Sequence, residues 1–378
     1  MQVVEITGEK KEQVEAFLKL PQRLYANQPL WVPPLQTSAR AWFDRAQNPY
    51  YLHSEAAFFL VLGPSGNPLG RIAVLDNHPF NKSQGASSAF FHLFECENDI
   101  TLARALFDAA QGWARRRNLG TLVGPKGFSA LDGMGLLIEG YQHQPVLGVP
   151  YNLAYYARLL EAVGFVKHRD LLSGFLDRSI EFPERIHRLA QKVAQRHGLH
   201  IERFTSRKDL TRIASELRML YNTTLATMPD NPPLTREEAD ELTRQMGWFA
   251  DPKLIKIVRK GERPVGFILA YPDLSTAVKK CGGRLLPFGW FHLLSGLLRT
   301  RRVILNGAGI IPEEQGLGST SILISEIAGD LLTSRYDFAE LVQIRSENER
   351  MLREVQKFGV NFYKRHRIYR KFLPVSVA

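Results

Sequence analysis

The clearest chemical signal in this 378-residue sequence is a pair of glycines between an apolar run and a helical pattern. Residues 303–325 read VILNGAGIIPEEQGLGSTSILIS, with glycines at Gly316 and Gly318 and a helical pattern that opens at Ser319. Glycines ahead of a helix leave backbone N–H groups open to an anion, and the helix dipole favours negative charge there. The pattern indicates a pyrophosphate loop, with a plain tight turn as the alternative. It has no Walker lysine and no G-x-G-x-x-G, so it supports neither an ATPase nor a dinucleotide fold.

The elements around this loop belong to a repeat with an offset of about 196 residues. Residues 58–76 and 255–273 both read as β-hairpins, and helical patterns before and after them also recur. Because the matches come in the same order, they predict two copies of one fold, with two unrelated α/β domains as the alternative. The matched anchors are Leu24-Tyr25 with Leu220-Tyr221, Pro33-Pro34 with Pro232-Pro233, Pro68-x-Gly70 with Pro264-x-Gly266, and Gly164 with Gly359.

Each copy reads as an opening strand, a helix, a hairpin, a third strand, a helix, a further strand, a helix ending in glycine and a last strand. In the first half the third strand is predicted over 89–95 and the next helix over 101–118. In the second half they are predicted over 302–311 and 319–332. This order predicts an α/β (α+β) protein. We expect domains at 1–178 and 199–378, joined by a linker or helix over 179–198.

Bulk composition narrows the class of protein. The two cysteines, Cys96 and Cys281, lie in separate halves, so we expect neither a disulfide framework nor a structural zinc site, and no metal site is predicted. No apolar run approaches the ~18 residues of a membrane span, and the start of the sequence does not read as a signal peptide, so a cytoplasmic protein is expected. The net charge of +11 predicts an anionic partner: nucleic acid, an anionic membrane or a phosphorylated ligand such as coenzyme A.

The order strand, glycine loop, helix, strand, helix resembles the GNAT superfamily of acyl-CoA N-acyltransferases. After the loop come an apolar run over 341–344, then Asn348 and, eleven residues later, Gly359. The resemblance implies two mixed, mostly antiparallel sheets flanked by helices, acyl-CoA as co-substrate and no prosthetic group. Two positions depart from the family, since Glu313 replaces the usual Gln or Arg and Val355 replaces the usual thiolate-protonating tyrosine. The residues that the resemblance places at the coenzyme are Ile310, Ile311, Gln315, Gly316, Leu317, Gly318, Ser319 and Asn348.

The first copy resembles the same fold without its phosphate loop. Residues 96–99 read Cys-Glu-Asn-Asp where the glycines would stand, and their carboxylates would repel a pyrophosphate. We therefore expect the coenzyme in the second copy, the acceptor beside the first, and one active site at or near the domain interface. Duplicated folds of this kind also occur in Fem-type aminoacyltransferases and N-myristoyltransferases.

A closer resemblance covers nearly the whole chain. Its segments, LYANQPLWVPPL, GPKGFSALDGMGLLIEGY, YNLAYYARLLEAVGF and GGRLLPFGWFHLL, are similar to a bacterial GNAT-type family that we associate with the bacterial ceramide synthases. This implies transfer of a long-chain acyl group to a lipid-like amine such as a sphingoid base. The alternatives are a Fem-type aminoacyltransferase, a small-molecule N-acetyltransferase, or an inactive protein that only binds its ligand.

The second half has a longer connection after its hairpin than the first half. Within it, Arg284–Arg302 combines aromatic and aliphatic residues with flanking arginines, which suits a helix in an anionic membrane interface. Such a protein would be peripheral on the inner face of the membrane. The alternative is a lid that packs on the protein's own core. Basic residues alternate with aromatic ones over 363–372, which favours a half-buried last strand over a nucleic-acid surface.

Acyl transfer to an amine also needs a base and an acid. Candidates for the base are Glu95, which ends the third strand of the first half, and Glu139 in the glycine-rich segment. Tyr155 or Tyr156 is the candidate acid, and Asn306 could orient the substrate. A surface carboxylate or a packed aromatic ring is the structural alternative for each.

Overall fold

The structure is a computed structural model, and it describes residues 1–129, 132–179, 184–315 and 319–374. The chain forms two compact units. The first comprises Met1–Leu172, Ser275–Leu294 and the chain from Lys364 onward, and the second comprises Ser173–Leu274 and Ser295–Tyr363. The predicted domains 1–178 and 199–378, with the linker 179–198, come from the repeat in the sequence, whereas the two units are defined by contacts in the structure. The predicted boundaries therefore stay a prediction.

The predicted elements occur in the predicted order, with additional elements between them. The strands are β1 (Gln2–Ile6), β2 (Glu55–Leu62), β3 (Pro68–Asp76), β4 (Ser88–Cys96), β5 (Thr121–Gly124), β6 (Leu136–Glu139), β7 (Val166–Asp177), β8 (Leu199–Arg203), β9 (Ile255–Lys260), β10 (Arg263–Pro272), β11 (Arg302–Ile310), β12 (Phe338–Arg345) and β13 (Asn361–Phe372). The helices are α1 (Lys11–Leu24), α2 (Gln36–Ala41), α3 (His78–Gln84), α4 (Ile100–Arg115), α5 (Tyr155–Ala162), α6 (Glu184–His197), α7 (Arg207–Arg212), α8 (Ala214–Thr224), α9 (Arg236–Phe249), α10 (Ser275–Lys280), α11 (Gly289–Arg299), α12 (Ser319–Thr333) and α13 (Glu349–Lys357). The additional elements are α2, α3 and β6 in the first half and α7, α9, α10 and α11 in the second.

The sheet of the first unit has the strand order β1-β2-β3-β4-β5-β13. Its pairs are antiparallel except for β4 and β5, which run parallel. Successive side chains of β2 enter two different clusters: Phe59 packs with α4 and α5, whereas Phe58 packs with Phe17 of α1. The sheet is therefore buried on both faces, which explains the nearly continuous apolar run of β2.

The second unit repeats this arrangement with the order β8-β9-β10-β11-β12-β7. Its parallel pair is β11 with β12, and β9, β10 and β11 are antiparallel. Helix α8 packs on β10 and β11, while α12 packs on α6. The predicted fold class, mixed and mostly antiparallel sheets flanked by helices, is confirmed. No helix in the described part of the chain is long and apolar enough to cross a membrane.

Close packing explains why the repeated Pro-x-Gly has a glycine in both units. A Cβ on Gly70 would lie 2.8 Å from the Cβ of Cys96, and one on Gly266 would lie 2.4 Å from the Cδ1 of Ile310. Each glycine thus lets the last residue of the neighbouring third strand approach the hairpin. Only a residue without a side chain fits at these two positions.

Candidate active site

A cavity of about 260 Å³ opens in the first unit beside the end of β4. Strands β4 and β5 pair only over their first residues, and β4 then continues to Cys96. His92–Glu95, in the part of β4 that has no β5 partner, form one wall. Other walls come from Trp31–Pro34, in the loop after α1, and from residues within 125–152. The place where the two parallel strands diverge is therefore open to a ligand.

A β-bulge in β4 turns two titratable side chains toward this cavity. In the register of the two strands, Arg71 of β3 lies opposite Glu95 of β4. Two residues further along β3, Ala73 lies opposite His92, which is three residues from Glu95. Strand β4 thus has one extra residue over this stretch, and Leu93 adopts a φ of +52° there. In a regular strand, residues three apart face opposite sides, and the extra residue cancels that alternation. As a result His92 and Glu95 both line the cavity.

Two tyrosines and an arginine hold the Glu95 carboxylate. The Tyr25 hydroxyl donates to Glu95 Oε2 over 2.8 Å, and the Tyr156 hydroxyl donates to the same oxygen over 2.6 Å. The other oxygen, Oε1, lies 3.9 Å from a guanidinium nitrogen of Arg71. Arg71 is itself fixed by a 2.8 Å hydrogen bond from Nη1 to the Phe17 carbonyl. The side chain of Glu95 is 14% exposed, and both tyrosines bind Oε2, which leaves Oε1 without a hydrogen bond from either of them.

Burial dominates the electrostatics of this cluster. It raises the pKa of Glu95, while the positive charge of Arg71 and the hydrogen bonds from Tyr156 and Tyr25 oppose that rise. Burial and the nearby negative charge of Glu95 raise the pKa of both tyrosines well above their usual value. Tyr25 and Tyr156 are therefore neutral donors, and Glu95 is a carboxylate whose proton affinity is higher than usual.

His92 is the second titratable group that reaches the cavity. Burial and the positive charge of Arg71 lower the pKa of His92 to about 3, so its ring is neutral at physiological pH. The ring packs edge-on against Trp42 and Phe128. Among the described residues neither ring nitrogen has a hydrogen-bond partner. A neutral imidazole of this kind can donate one hydrogen bond to a ligand and accept another.

Asp132 brings a further carboxylate to the cavity wall. Burial raises the pKa of Asp132, and backbone N–H groups of Ser129 and Phe128 oppose the rise. The Ser129 N–H donates to Oδ2 over 2.9 Å, so this oxygen is used to hold its own loop. Asp132 therefore stabilises the loop that forms this wall.

The structure brings together two of the three predicted catalytic residues. Glu95 and Tyr156 form the 2.6 Å hydrogen bond described above. Glu139 lies on β6, is 63% exposed and pairs with Arg365 on the neighbouring strand over 3.0 Å, so it does not reach the cavity. Tyr155 donates its hydroxyl to the Cys96 carbonyl over 2.7 Å and thereby fixes the end of β4.

In the second unit the predicted coenzyme residues other than Asn348 follow one another in sequence from the end of β11 to the start of α12. Strands β11 and β12 pair as far as Leu305 and Leu341, whereas β11 continues to Ile310. Asn306 lies at a bulge of β11, and its side chain donates to the Tyr271 hydroxyl over 3.0 Å. The second unit therefore repeats both the bulge and the diverging parallel pair of the first.

Several of the predicted coenzyme contacts already have partners within the protein. The Ile311 N–H donates to the Val265 carbonyl, and the Gln315 side chain donates to the Ile310 carbonyl over 2.8 Å. The Asn348 side chain caps α13 by accepting from the Met351 N–H. Gly316, Leu317 and Gly318 lie outside the described residues, and Ser319 is described only as the first residue of α12.

The matching helix of the first unit has its N-terminus occupied by its own chain. Asp99 Oδ1 accepts from the Thr101 N–H over 2.7 Å and so caps α4. Glu97 beside it forms an ion pair with Arg23. A carboxylate at this position competes with any phosphate for the same N–H groups. The structure thus places two carboxylates at the helix end where the coenzyme loop was predicted to be lost, and that loss stays a prediction.

Sequence reasoning did not find His92, Tyr25 or Arg71 as members of the site. Regular alternation over 89–95 places His92 and Glu95 on opposite faces, and the bulge that reverses this leaves no mark in the sequence. Tyr25 was visible only as a repeat anchor. Arg71 directly follows the shared Pro-x-Gly, and a charged residue inside an otherwise apolar strand was the available signal.

The long connection of the second half packs on the first unit. The Gln36 N–H donates to the Gly283 carbonyl over 2.9 Å, and Gln144 donates to Ser275 over 3.2 Å. A Cβ on Gly283 would lie 2.3 Å from the Pro34 carbonyl oxygen, and Pro34 lines the cavity. The connection therefore supports the cavity wall from outside.

No protein-family model matches the chain. Two curated protein sequences are similar to this chain over almost their whole length. Protein YghO of Escherichia coli (strain K12) is 26% identical over 368 residues, covering 96% of this chain and 93% of YghO. A bacterial ceramide synthase of Caulobacter vibrioides is 26% identical over 371 residues, covering 96% of this chain and 95% of that protein.

Solved structures with the same fold include GNAT proteins that match this chain over nearly its whole length. A tandem GNAT protein from the clavulanic acid biosynthesis pathway has a TM-score of 0.57 at 12% identity, with 99% of this chain and 98% of that chain covered. A GCN5-related N-acetyltransferase from Sphaerobacter thermophilus has a TM-score of 0.53 at 15% identity, with 98% and 96% covered. The predicted tandem GNAT fold and the similarity to a bacterial ceramide synthase are both confirmed.

Proposed function

We propose that this protein is an acyl-CoA-dependent N-acyltransferase that transfers a long-chain acyl group to the amine of a lipid-like acceptor such as a sphingoid base. The observation that carries the proposal is the buried Glu95 carboxylate at a cavity in a tandem GNAT fold. The similarity to a bacterial ceramide synthase over 96% of the chain supports the acceptor class.

The second unit is assigned to acyl-CoA. Its β11–α12 connection contains Gly316 and Gly318, and no acid occurs in the first turn of α12. The equivalent helix in the first unit is capped by Asp99 instead. A pyrophosphate would gain from the helix dipole in the second unit and would be repelled by the carboxylates in the first.

The first unit is assigned to the acceptor amine. An alkyl ammonium has a pKa near that of lysine, about 10.4, and must lose a proton before it can attack a thioester. Glu95 meets two needs at once, since its negative charge binds the ammonium and its raised pKa makes it a better proton acceptor. The neutral His92 ring offers an acceptor nitrogen to a second N–H or to a hydroxyl of the acceptor.

The reaction balances with these groups alone. The ammonium gives one proton to Glu95, and the neutral amine attacks the thioester carbonyl. The C–N bond forms, the C–S bond breaks, and a proton of the amine ends on the sulfur of coenzyme A. Tyr25, Tyr156 and Arg71 hold the Glu95 carboxylate in place, so we assign them positioning roles rather than direct proton transfer.

The size of the cavity bears on the acceptor. At about 260 Å³ it lies just below the range of ~300–1,000 Å³ that encloses drug-sized ligands. It would take the amine and hydroxyl groups at the head of a sphingoid base, but not the whole hydrocarbon chain. The long chain of a lipid acceptor would therefore extend out of the cavity.

Calorimetric titration with acetyl-CoA and with palmitoyl-CoA tests the coenzyme assignment. We expect saturable binding of palmitoyl-CoA that Gly318→Glu abolishes. If neither thioester binds, the acyltransferase proposal is wrong. If acetyl-CoA binds as tightly as palmitoyl-CoA, the long-chain donor is wrong, and activity that depends on aminoacyl-tRNA would point to Fem-type chemistry instead.

Release of coenzyme A thiol from palmitoyl-CoA in the presence of a sphingoid base tests the catalytic assignment. We expect Glu95→Gln to lower kcat by about 10²–10⁴-fold, the usual contribution of a general base. Glu139→Gln is the comparison, because this carboxylate is exposed and outside the cavity. If Glu139→Gln abolishes the reaction and Glu95→Gln does not, the base has been misassigned.

A further inference from the structure

Six large apolar side chains lie exposed within a stretch of thirteen residues at and before α11. Leu286 and Phe288, just before the helix, are 80% and 75% exposed, and the others are at least half exposed. We call these six residues the apolar ridge. Exposed apolar residues scattered singly are normal, but a contiguous group marks an interaction site. The apolar ridge consists of Leu286, Phe288, Trp290, Phe291, Leu294 and Leu298.

The apolar ridge belongs to an ordered helix that almost nothing covers. Gly289 is the buried residue of α11, and all its other residues are exposed or half-buried. At its end the Arg335 guanidinium donates to the carbonyls of Leu297 and Leu298 over 2.7 and 2.9 Å. The helix is thus held by its termini and leaves its apolar side chains unpartnered.

The stretch of sequence that contains the apolar ridge carries charge of one sign. Residues 274–311 contain six lysines and arginines and no aspartate or glutamate. Arg301 is paired with Asp337, but Lys280, Arg284 and Arg299 are exposed. Within the part of the chain that the structure describes, these three cations have no hydrogen-bond or ion-pair partner.

We propose that the apolar ridge and its three free cations dock on the surface of an anionic lipid bilayer. Tryptophan and phenylalanine side chains favour the interface between water and hydrocarbon, and nearby lysine and arginine bind anionic headgroups. With eleven residues α11 is too short to span a bilayer, so it lies along the interface. A second copy of the chain is the poorer occupant, because a two-fold interface would bring the same cations together.

This surface is joined to the cavity by a short piece of chain. Gly283, three residues before Leu286, accepts a hydrogen bond from Gln36 and packs against the cavity-lining Pro34. If the protein has the proposed function, the long chain of the acceptor would remain in the bilayer while its amine enters the cavity. Only this step of the proposal depends on the proposed function. Docking itself requires neither substrate nor activity.

Flotation of the full-length protein with lipid vesicles tests the proposal without any substrate. We expect it to float with vesicles of phosphatidylcholine and phosphatidylglycerol, and much less with phosphatidylcholine alone or at high salt. Phe288→Ser with Phe291→Ser should weaken binding on the order of a hundred-fold, since two large apolar side chains are lost. Arg284→Gln with Arg299→Gln should weaken it about 25-fold, from about five-fold per charge.

Trp248→Ser is the matched control, because Trp248 is 76% exposed on α9 and outside the apolar ridge. It should float like the wild type. The proposal is overturned if the wild type does not float with anionic vesicles, or if both double variants float like the control. Light scattering without lipid tests whether a second copy of the chain covers the apolar ridge instead. A wild-type dimer that the double variant Phe288→Ser with Phe291→Ser makes monomeric would show that it does. If the wild type floats with anionic vesicles but shows no acyltransferase activity, the result counts against the proposed function and not against membrane docking.

Discussion

Removal of one hydroxyl group should shift the pH dependence of the reaction. The Tyr156 hydroxyl donates to Glu95 over 2.6 Å from a side chain that is 0% exposed. Tyr156→Phe removes this donor and keeps the ring, which packs edge-on against Phe94. The variant therefore changes the environment of the Glu95 carboxylate with little change of volume.

The size and sign of the shift follow from the energy of the lost hydrogen bond. A hydrogen bond to a charged group contributes about 1.5–3 kcal/mol, and one pKa unit corresponds to about 1.4 kcal/mol. Since the bond stabilises the charged carboxylate, its loss raises the pKa of Glu95 by about 1–2 units. Glu95 accepts a proton only when ionised. The acidic limb of the kcat/KM profile should therefore move up by the same amount, with little change of rate above the new limb.

The assay is kcat/KM for acyl transfer to a sphingoid base, measured across pH for the wild type and two variants. Tyr155→Phe is the control, because this neighbouring hydroxyl donates to the backbone carbonyl of Cys96 and not to a carboxylate. Its acidic limb should coincide with that of the wild type. If the limb of Tyr156→Phe does not move either, Glu95 is not the group whose ionisation controls the reaction.

Three further predictions concern stability and thiol reactivity. Because burial raises the pKa of Glu95, the folded protein binds its proton more tightly than the unfolded chain, so the wild type loses unfolding free energy as pH rises above 4.5. Glu95→Gln removes that loss. The unfolding free energy of the variant minus that of the wild type, measured by urea titration, should therefore increase with pH, by about 1.4 kcal/mol for each unit by which the pKa of Glu95 differs between the folded and the unfolded chain. A difference that stays constant with pH would contradict this. Gly70→Ala should destabilise by about 1–3 kcal/mol in the same titration because its Cβ would meet Cys96, whereas Gly112→Ala in α4, where the nearest atom is 3.6 Å away, should stabilise by about 0.5–1 kcal/mol. Iodoacetamide mapping by mass spectrometry should find half-buried Cys281 alkylated first, since burial raises the pKa of the Cys96 thiol, and equal rates would show that β4 opens.

Much of the fold could be predicted because its signals are local. Apolar periodicity placed the third strands and the helices after them within a few residues of β4, α4, β11 and α12. The shared Pro-x-Gly identified the hairpins, and the reason for its glycines, a close approach to the next strand, is the same at Gly70 and Gly266. Local chemistry of this kind survives duplication and remains readable in one sequence.

The site was only partly predictable because its members meet through tertiary structure. Glu95 and Tyr156 were candidates, yet the sequence ranked Glu139 beside them, and only the fold shows that this carboxylate is exposed and paired with Arg365. Tyr25 contacts Glu95 from seventy residues away. The bulge that turns His92 into the cavity depends on one additional residue in β4, which no composition or periodicity reveals.

The extra residue in β4 and the one in β11 have a common consequence for the open end of each parallel pair. In both strands the bulge lies beyond the last residue that pairs with the parallel neighbour, which is Phe90 in β4 and Leu305 in β11. A bulge also interrupts the hydrogen-bond ladder with the antiparallel neighbour. Each strand is therefore tied least to its neighbours on both sides in the stretch that carries a polar side chain, His92 in β4 and Asn306 in β11.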